Sequence, residues 1–188
     1  MKKENKLYMV MLGCRPEGRC TEQHDIFFGI GNSLKELIPH MNHFWPEAKG
    51  RIHIDAWREI TEVDNHSITI VPKGSLFNQN ENLFFINLGG YKENEFEEYH
   101  YKVVVVGETL SEATKKAKNT AFYKHCGFKD AVSHIDDKFG IDVDDIFNVK
   151  DILMPIFKDN FDIQITKSEV TLPEDTLHIG YLKLDKIS

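Results

Sequence analysis

The chain has 188 residues with 30 acidic and 23 basic side chains, a formal charge of −7. That balance argues against a duplex-binding protein, which needs a basic face to displace counterions. Hydrophobic residues make up 41% of the chain and charged residues 28%, with 13 Phe and six Tyr. Such a chain can bury a core, which excludes intrinsic disorder, and no run of 18 apolar residues provides a membrane-spanning helix.

The first apolar run, residues 7–12, lies between lysines and Cys14 and has the outline of a lipoprotein signal. It is shorter than the ~7–15 residues of a signal core, and a matching run recurs at residues 83–88. Cys14, Cys20 and Cys126 are too few, and odd in number, for a disulfide framework. Reduced thiols and a cytoplasmic location are therefore expected.

The recurrence extends well beyond this run. Residues 7–37 align on 83–113 without a gap at a shift of 76, and nine of the 31 columns are identical. Ordinary residue usage would give about two. The identities include Leu12/Leu88, Gly13/Gly89, Glu22/Glu98, His24/His100 and Glu36/Glu112. A second block, His53-Ile54-Asp55 against His134-Ile135-Asp136, aligns at a shift of 81.

Each repeat reads as two strands, a helix and one or two further strands. The first strand (7–12 or 83–88) ends at Gly13, or at Gly89-Gly90, where a turn or backbone approach to a ligand is expected. The second strand covers 22–30 or 98–106. A helix opens at Ser33 or Thr109, with Glu36 or Glu112 three residues on. This is a capping box, in which the hydroxyl and the Glu each satisfy an amide of the first turn. Leu34, Leu37, Ile38 and Met41 share one helical face, as do Leu110, Ala113, Ala117 and Ala121. Pro39 should shorten or kink the first helix. The third strand is placed at 51–57, with 132–137 as its counterpart, and a fourth at 67–71. Residues 72–82 read as a linker. Stretches 161–166 and 177–184 read as an added C-terminal hairpin.

The expected fold is therefore α+β. Two tandem β-β-α-β(-β) repeats, residues 1–76 and 77–155, pack with pseudo-twofold symmetry into one compact unit, and 156–188 form the hairpin. Strand alternation puts Glu22 with His24 on one face, and His53 with Asp55 and Trp57 on one face. Ile52, Ile54 and Ala56 then turn to the helix. The set Glu22, His24, His53 and Asp55, with its copy Glu98, His100, His134 and Asp136, is expected near the seam between repeats. Two imidazoles and two carboxylates suit a divalent metal or a small polar ligand. They also suit acid–base catalysis, or a hydrogen-bonded structural network.

The stretch Leu12-Gly13, Glu22-Gln23-His24-Asp25 and His53-Ile54-Asp55-Ala56-Trp57 resembles the bacterial family labelled domain of unknown function 1543. Asn87-Leu88-Gly89-Gly90-Tyr91 with Glu98-Tyr99-His100 resembles a second copy. The resemblance covers most of residues 6–155 and departs at Cys14, where a second Gly is expected. It implies a bacterial, cytoplasmic protein and carries no activity and no catalytic residue. The function expected from the residues is a binding module for a small polar ligand, metal or partner. The alternative is a metal-assisted or His–carboxylate hydrolase. No nucleic-acid or membrane partner is expected, and a homo-oligomer is left open.

Overall fold

The computed structural model describes residues 4–91, 94–119 and 142–187. The chain divides into two compact units, residues 1–78 with 153–188, and residues 79–152.

In the first unit β1 (Lys6–Cys14) is the inner strand of an antiparallel sheet, with β2 (Gln23–Gly31) on one side and β3 (His53–Ile60) on the other. Tyr8, Val10 and Leu12 pair with Gly29, Phe27 and Asp25 across the first ladder. Directly paired residues share a face, and this face meets the helical segment. Leu37 reaches Gly29, and Phe27 packs edge-on against Phe44 and Phe157. A Cβ on Gly29 would meet the Phe27 ring at 2.7 Å and Leu37 at 3.1 Å, so both side chains use the space that Gly29 leaves.

The helix opens differently from expectation. Leu34–Leu37 form a 3-10 turn, and α1 (Ile38–Phe44) begins only after it. In that tighter turn the Glu36 amide donates to the Ser33 carbonyl (3.2 Å), so none is left for the Ser33 hydroxyl. Pro39 falls in the first turn of α1, where its missing N–H costs nothing.

Two more strands, β4 (Glu62–Val63) and β5 (His66–Pro72), form a second sheet. The expected C-terminal hairpin does not form. After α4 (Pro155–Lys158), β9 (Phe161–Lys167) pairs with β5, and β10 (His178–Lys183) pairs with β3. A lone two-stranded hairpin is marginal in water. Each strand instead fills an available edge of a different sheet.

The second unit sets β6 (Asn82–Tyr91) between β7 (Glu98–Gly107) and β8 (Asp142–Asn148). Helix α2 (Leu110–Lys118) packs Ala113 and Ala117 on Phe84, Ile86, Leu88 and Val105. Leu110, expected on that face, is 53% exposed, and Ala121 lies outside the described residues. Here the turn is α-helical: the Ala113 amide takes the Thr109 carbonyl (3.0 Å), which frees the Glu112 amide to donate to Thr109 Oγ1 (3.2 Å). In both units the Glu carboxylate accepts from the amide before the cap, Asn32 at 2.9 Å and Glu108 at 3.0 Å. Val149–Ile152, α3, closes the unit.

The registers of the two β hairpins correspond. Lys6 pairs with Gly31, and Asn82 with Gly107, each 76 residues on. In the other ladder, β3 shifts register opposite Met11/Leu12, and β8 shifts opposite Asn87/Leu88, again 76 residues on.

Candidate functional site

The four residues singled out in the first repeat lie on strands that are not neighbours. Glu22 and His24 belong to β2 or its approach, His53 and Asp55 to β3, and β1 runs between them. Gly13 pairs with His24 on one side and with His53 on the other. Three paired positions thus form one row, His24–Gly13–His53, on one face of the sheet. With no side chain at the middle position, Glu22 and His24 from one side reach His53 and Asp55 from the other.

Gly13 is not the strand-ending turn expected from the sequence; it lies within β1, as Gly89 and Gly90 lie within β6. Its φ is not positive, so its importance is space rather than conformational freedom. A Cβ there would sit 2.2 Å from Asp55 Oδ2 and 2.5 Å from His53 Nε2. Both contacts are shorter than van der Waals packing permits, so those two side chains occupy the volume that any other residue would claim.

Asp55 reaches this place through a β-bulge. Met11 pairs with Ala56 but Leu12 pairs with Ile54, which leaves Asp55 as the extra residue. The bulge also reverses the expected alternation beyond it. Ala56, paired with Met11, lies on the His53 side, whereas Trp57, paired with Val10, joins the helix-facing side. There Trp57 stacks on His178 at 3.9 Å and 5°.

Over Gly13 the donor atoms converge. His53 Nε2 lies 3.0 Å from Glu22 Oε1 and 3.3 Å from Asp55 Oδ2. His24 Nε2 lies 3.3 Å from the same Asp55 oxygen and 3.9 Å from Glu22 Oε2. His53 is 8% exposed, and Tyr181 covers its ring with centroids 4.4 Å apart. Glu22 and His24 are exposed. Despite these distances, His53 Nε2 and Asp55 Oδ2 are buried without a hydrogen bond. A buried polar atom left in this state costs ~1–3 kcal/mol.

In the second unit His100 Nε2 lies 4.0 Å from Glu98 Oε2, with side-chain exposures close to those of the His24–Glu22 pair. Gly89 pairs with His100 and, on the other side, with Asp142. His134 and Asp136, expected to complete this set, lie outside the described residues. The strand that pairs with β6 as β3 pairs with β1 is β8, while 132–137, expected as that counterpart, lie outside the described residues. Asp142 and Asp144 occupy the backbone positions that His53 and Asp55 hold in the first unit, Asp144 being the bulge residue. Allowing a longer insertion, so that Asp142-Val143-Asp144 falls under His53-Ile54-Asp55, would have found this from the sequence.

An open cavity of about 360 Å³ lies on the helix-facing side of the first sheet, lined by Trp57, Glu59, Thr61, Asp175 and His178 among others. Two of its carboxylates are already engaged. Asp175 accepts from the Thr61 hydroxyl and amide, and Glu59 binds Lys6 and the Tyr8 hydroxyl. Burial first, then the charge and hydrogen bonding of Glu59, hold the Tyr8 phenol well above its ordinary range. These carboxylates are thus held by partners within the chain.

Residues 19–70 match the family model described as Domain of Unknown Function (DUF1543). No curated protein matches the chain. Among solved structures, the chain is similar to the crystal structure of a protein Il1583 from Idiomarina loihiensis, at a TM-score of 0.64 and 23% identity, over 96% of this chain and 99% of that one. That likeness supports the α+β fold. No helix among the described residues is long and apolar enough to cross a membrane.

Proposed function

We propose that the protein is a binding module whose ligand is held by Glu22, His24, His53 and Asp55 over Gly13. The observation that carries this reading is the pair of buried, unbonded atoms, His53 Nε2 and Asp55 Oδ2, 3.3 Å apart. A set that served only the fold would satisfy its own hydrogen bonds, as nearly all buried polar groups do. Here the donors stand close and leave their directions open to a third party. Two carboxylates in the set favour a ligand that presents positive charge or hydrogen-bond donors.

The module is inferred to be one of two tandem copies in a bacterial, cytoplasmic protein. Support comes from the shared shift of 76 in sequence, in hairpin register and in bulge position, and from the family match within the first copy.

Thermal melts of the full chain against divalent cations and small amines such as ethanolamine test the binding reading. A ligand bound only by the folded state adds about 2.7 kcal/mol at 100 times its Kd. At least one compound is expected to raise the melting temperature of the wild type and not of Asp55→Asn. Identical melts across the whole panel would contradict a binding role at this set.

A further inference from the structure

Resting on that reading, we propose that the ligand is a single divalent first-row metal ion of the zinc class, four-coordinated by His24 Nε2, His53 Nε2, Asp55 Oδ2 and a Glu22 carboxylate oxygen. The donor types point there first. Imidazole together with carboxylate suits zinc and its neighbours, whereas calcium and magnesium take oxygen donors.

The spacing of Asp55 Oδ2 from the two imidazoles is close to what this assignment needs. Ligand bonds of about 2.0–2.1 Å in a tetrahedron put neighbouring donors roughly 3.3–3.4 Å apart. Asp55 Oδ2 lies 3.3 Å from both imidazole nitrogens; the two Glu22 oxygens lie 3.0 Å from His53 Nε2 (Oε1) and 3.9 Å from His24 Nε2 (Oε2), so a single Glu22 oxygen must shift to complete the set. In such a centre each lone pair aims at the ion, about 35° away from the neighbouring donor. Short separations with no hydrogen bond between His53 Nε2 and Asp55 Oδ2 are what that geometry gives.

Gly13 supplies the room. The two buried donors already fill the place of its Cβ, and the ion would sit above them, reached from the exposed side by Glu22 and His24. Among the described residues no three such side chains are already arranged to hold an ion. Binding therefore requires the exposed pair to turn inward onto Asp55 and onto His53, whose ring packs against Tyr181.

Cobalt(II) titration of the full chain, followed by zinc, tests the assignment. Uptake should produce the strong visible bands of a four-coordinate centre, and zinc should bleach them; magnesium in excess should do neither. His53→Gln should weaken cobalt binding at least ~100-fold, since losing a supporting hydrogen bond to a ligand alone costs 10–100-fold. Glu22→Gln, at an exposed position that should not disturb folding, should weaken it ~10-fold or more on the same reasoning. His40→Gln, remote from the set and packed on Phe157, should bind as wild type. Circular dichroism and urea melts identify a variant that has merely failed to fold, and Glu22→Gln then decides. A pale six-coordinate spectrum, or binding indifferent to Glu22→Gln and His53→Gln, would overturn the metal assignment. If an amine stabilises the wild type and no metal does, the binding module survives and the metal falls. If neither acts, both fall.

Discussion

Gly13 shows how much one absent side chain can determine. It lets side chains from two strands, separated by a third, touch over the middle of a sheet. Gly13→Ala forces a methyl group into the space of Asp55 Oδ2 and His53 Nε2. Overpacking of this kind costs ~1–3 kcal/mol, which urea melts will register, and the variant is expected to lose the ligand response of the wild type. Tyr8 makes a different test on the opposite face. It is 2% exposed, and its ionisation is pushed up by burial and by Glu59. The unfolded phenol ionises near pH 10. Tyr8 therefore contributes stability that is intact below that pH and declines as the pH rises above it. Urea melts across alkaline pH should show this decline in the wild type and a flatter curve in Tyr8→Phe.

The two helix starts look alike in sequence but differ in structure, and stability measurements can tell them apart. Thr109→Ala removes a hydroxyl that accepts from the Glu112 amide, and should cost ~1 kcal/mol. Ser33→Ala removes one that caps nothing and should cost at most a few tenths. Equal losses in thermal melts would contradict the 3-10 start at Leu34. Glu112 itself is held below its usual range, first by the Glu108 amide and then by Lys116, so its share of the second start is lost only as the pH falls into acid. The strands of both hairpins and the Glu22/His24 pairing were legible in the sequence because apolar runs and strict alternation are local signals. The bulge at Asp55 was not, because a ladder's register depends on the partner strand; parity carried past it put Trp57 on the wrong face. The helix start at Ser33 misled for a related reason. The capping pattern was present, but Pro39 downstream favoured the tighter turn. The destinations of β9 and β10 depended on which sheet edges stood open, which no local pattern encodes.

The first unit is discontinuous, since β9, β10 and Phe157 come from beyond the second unit. A fragment of residues 1–78 would lose the partners of β5 and of the outer edge of β3, along with the ring packed on Phe27. It is expected to show no cooperative thermal transition, whereas the full chain shows one; a sharp melt of the fragment would contradict the assignment of residues 153–188 to this unit. The same closing segment lays Tyr181 over His53, so the chain's last strand helps to fix the buried half of the candidate site. The most direct test of that site is calorimetric titration of the full-length wild type and Gly13→Ala with zinc at neutral pH. The wild type should bind zinc, and the folded variant should bind one equivalent fewer per chain. Equal zinc binding by the two proteins, or none by the wild type, would contradict a metal site over Gly13.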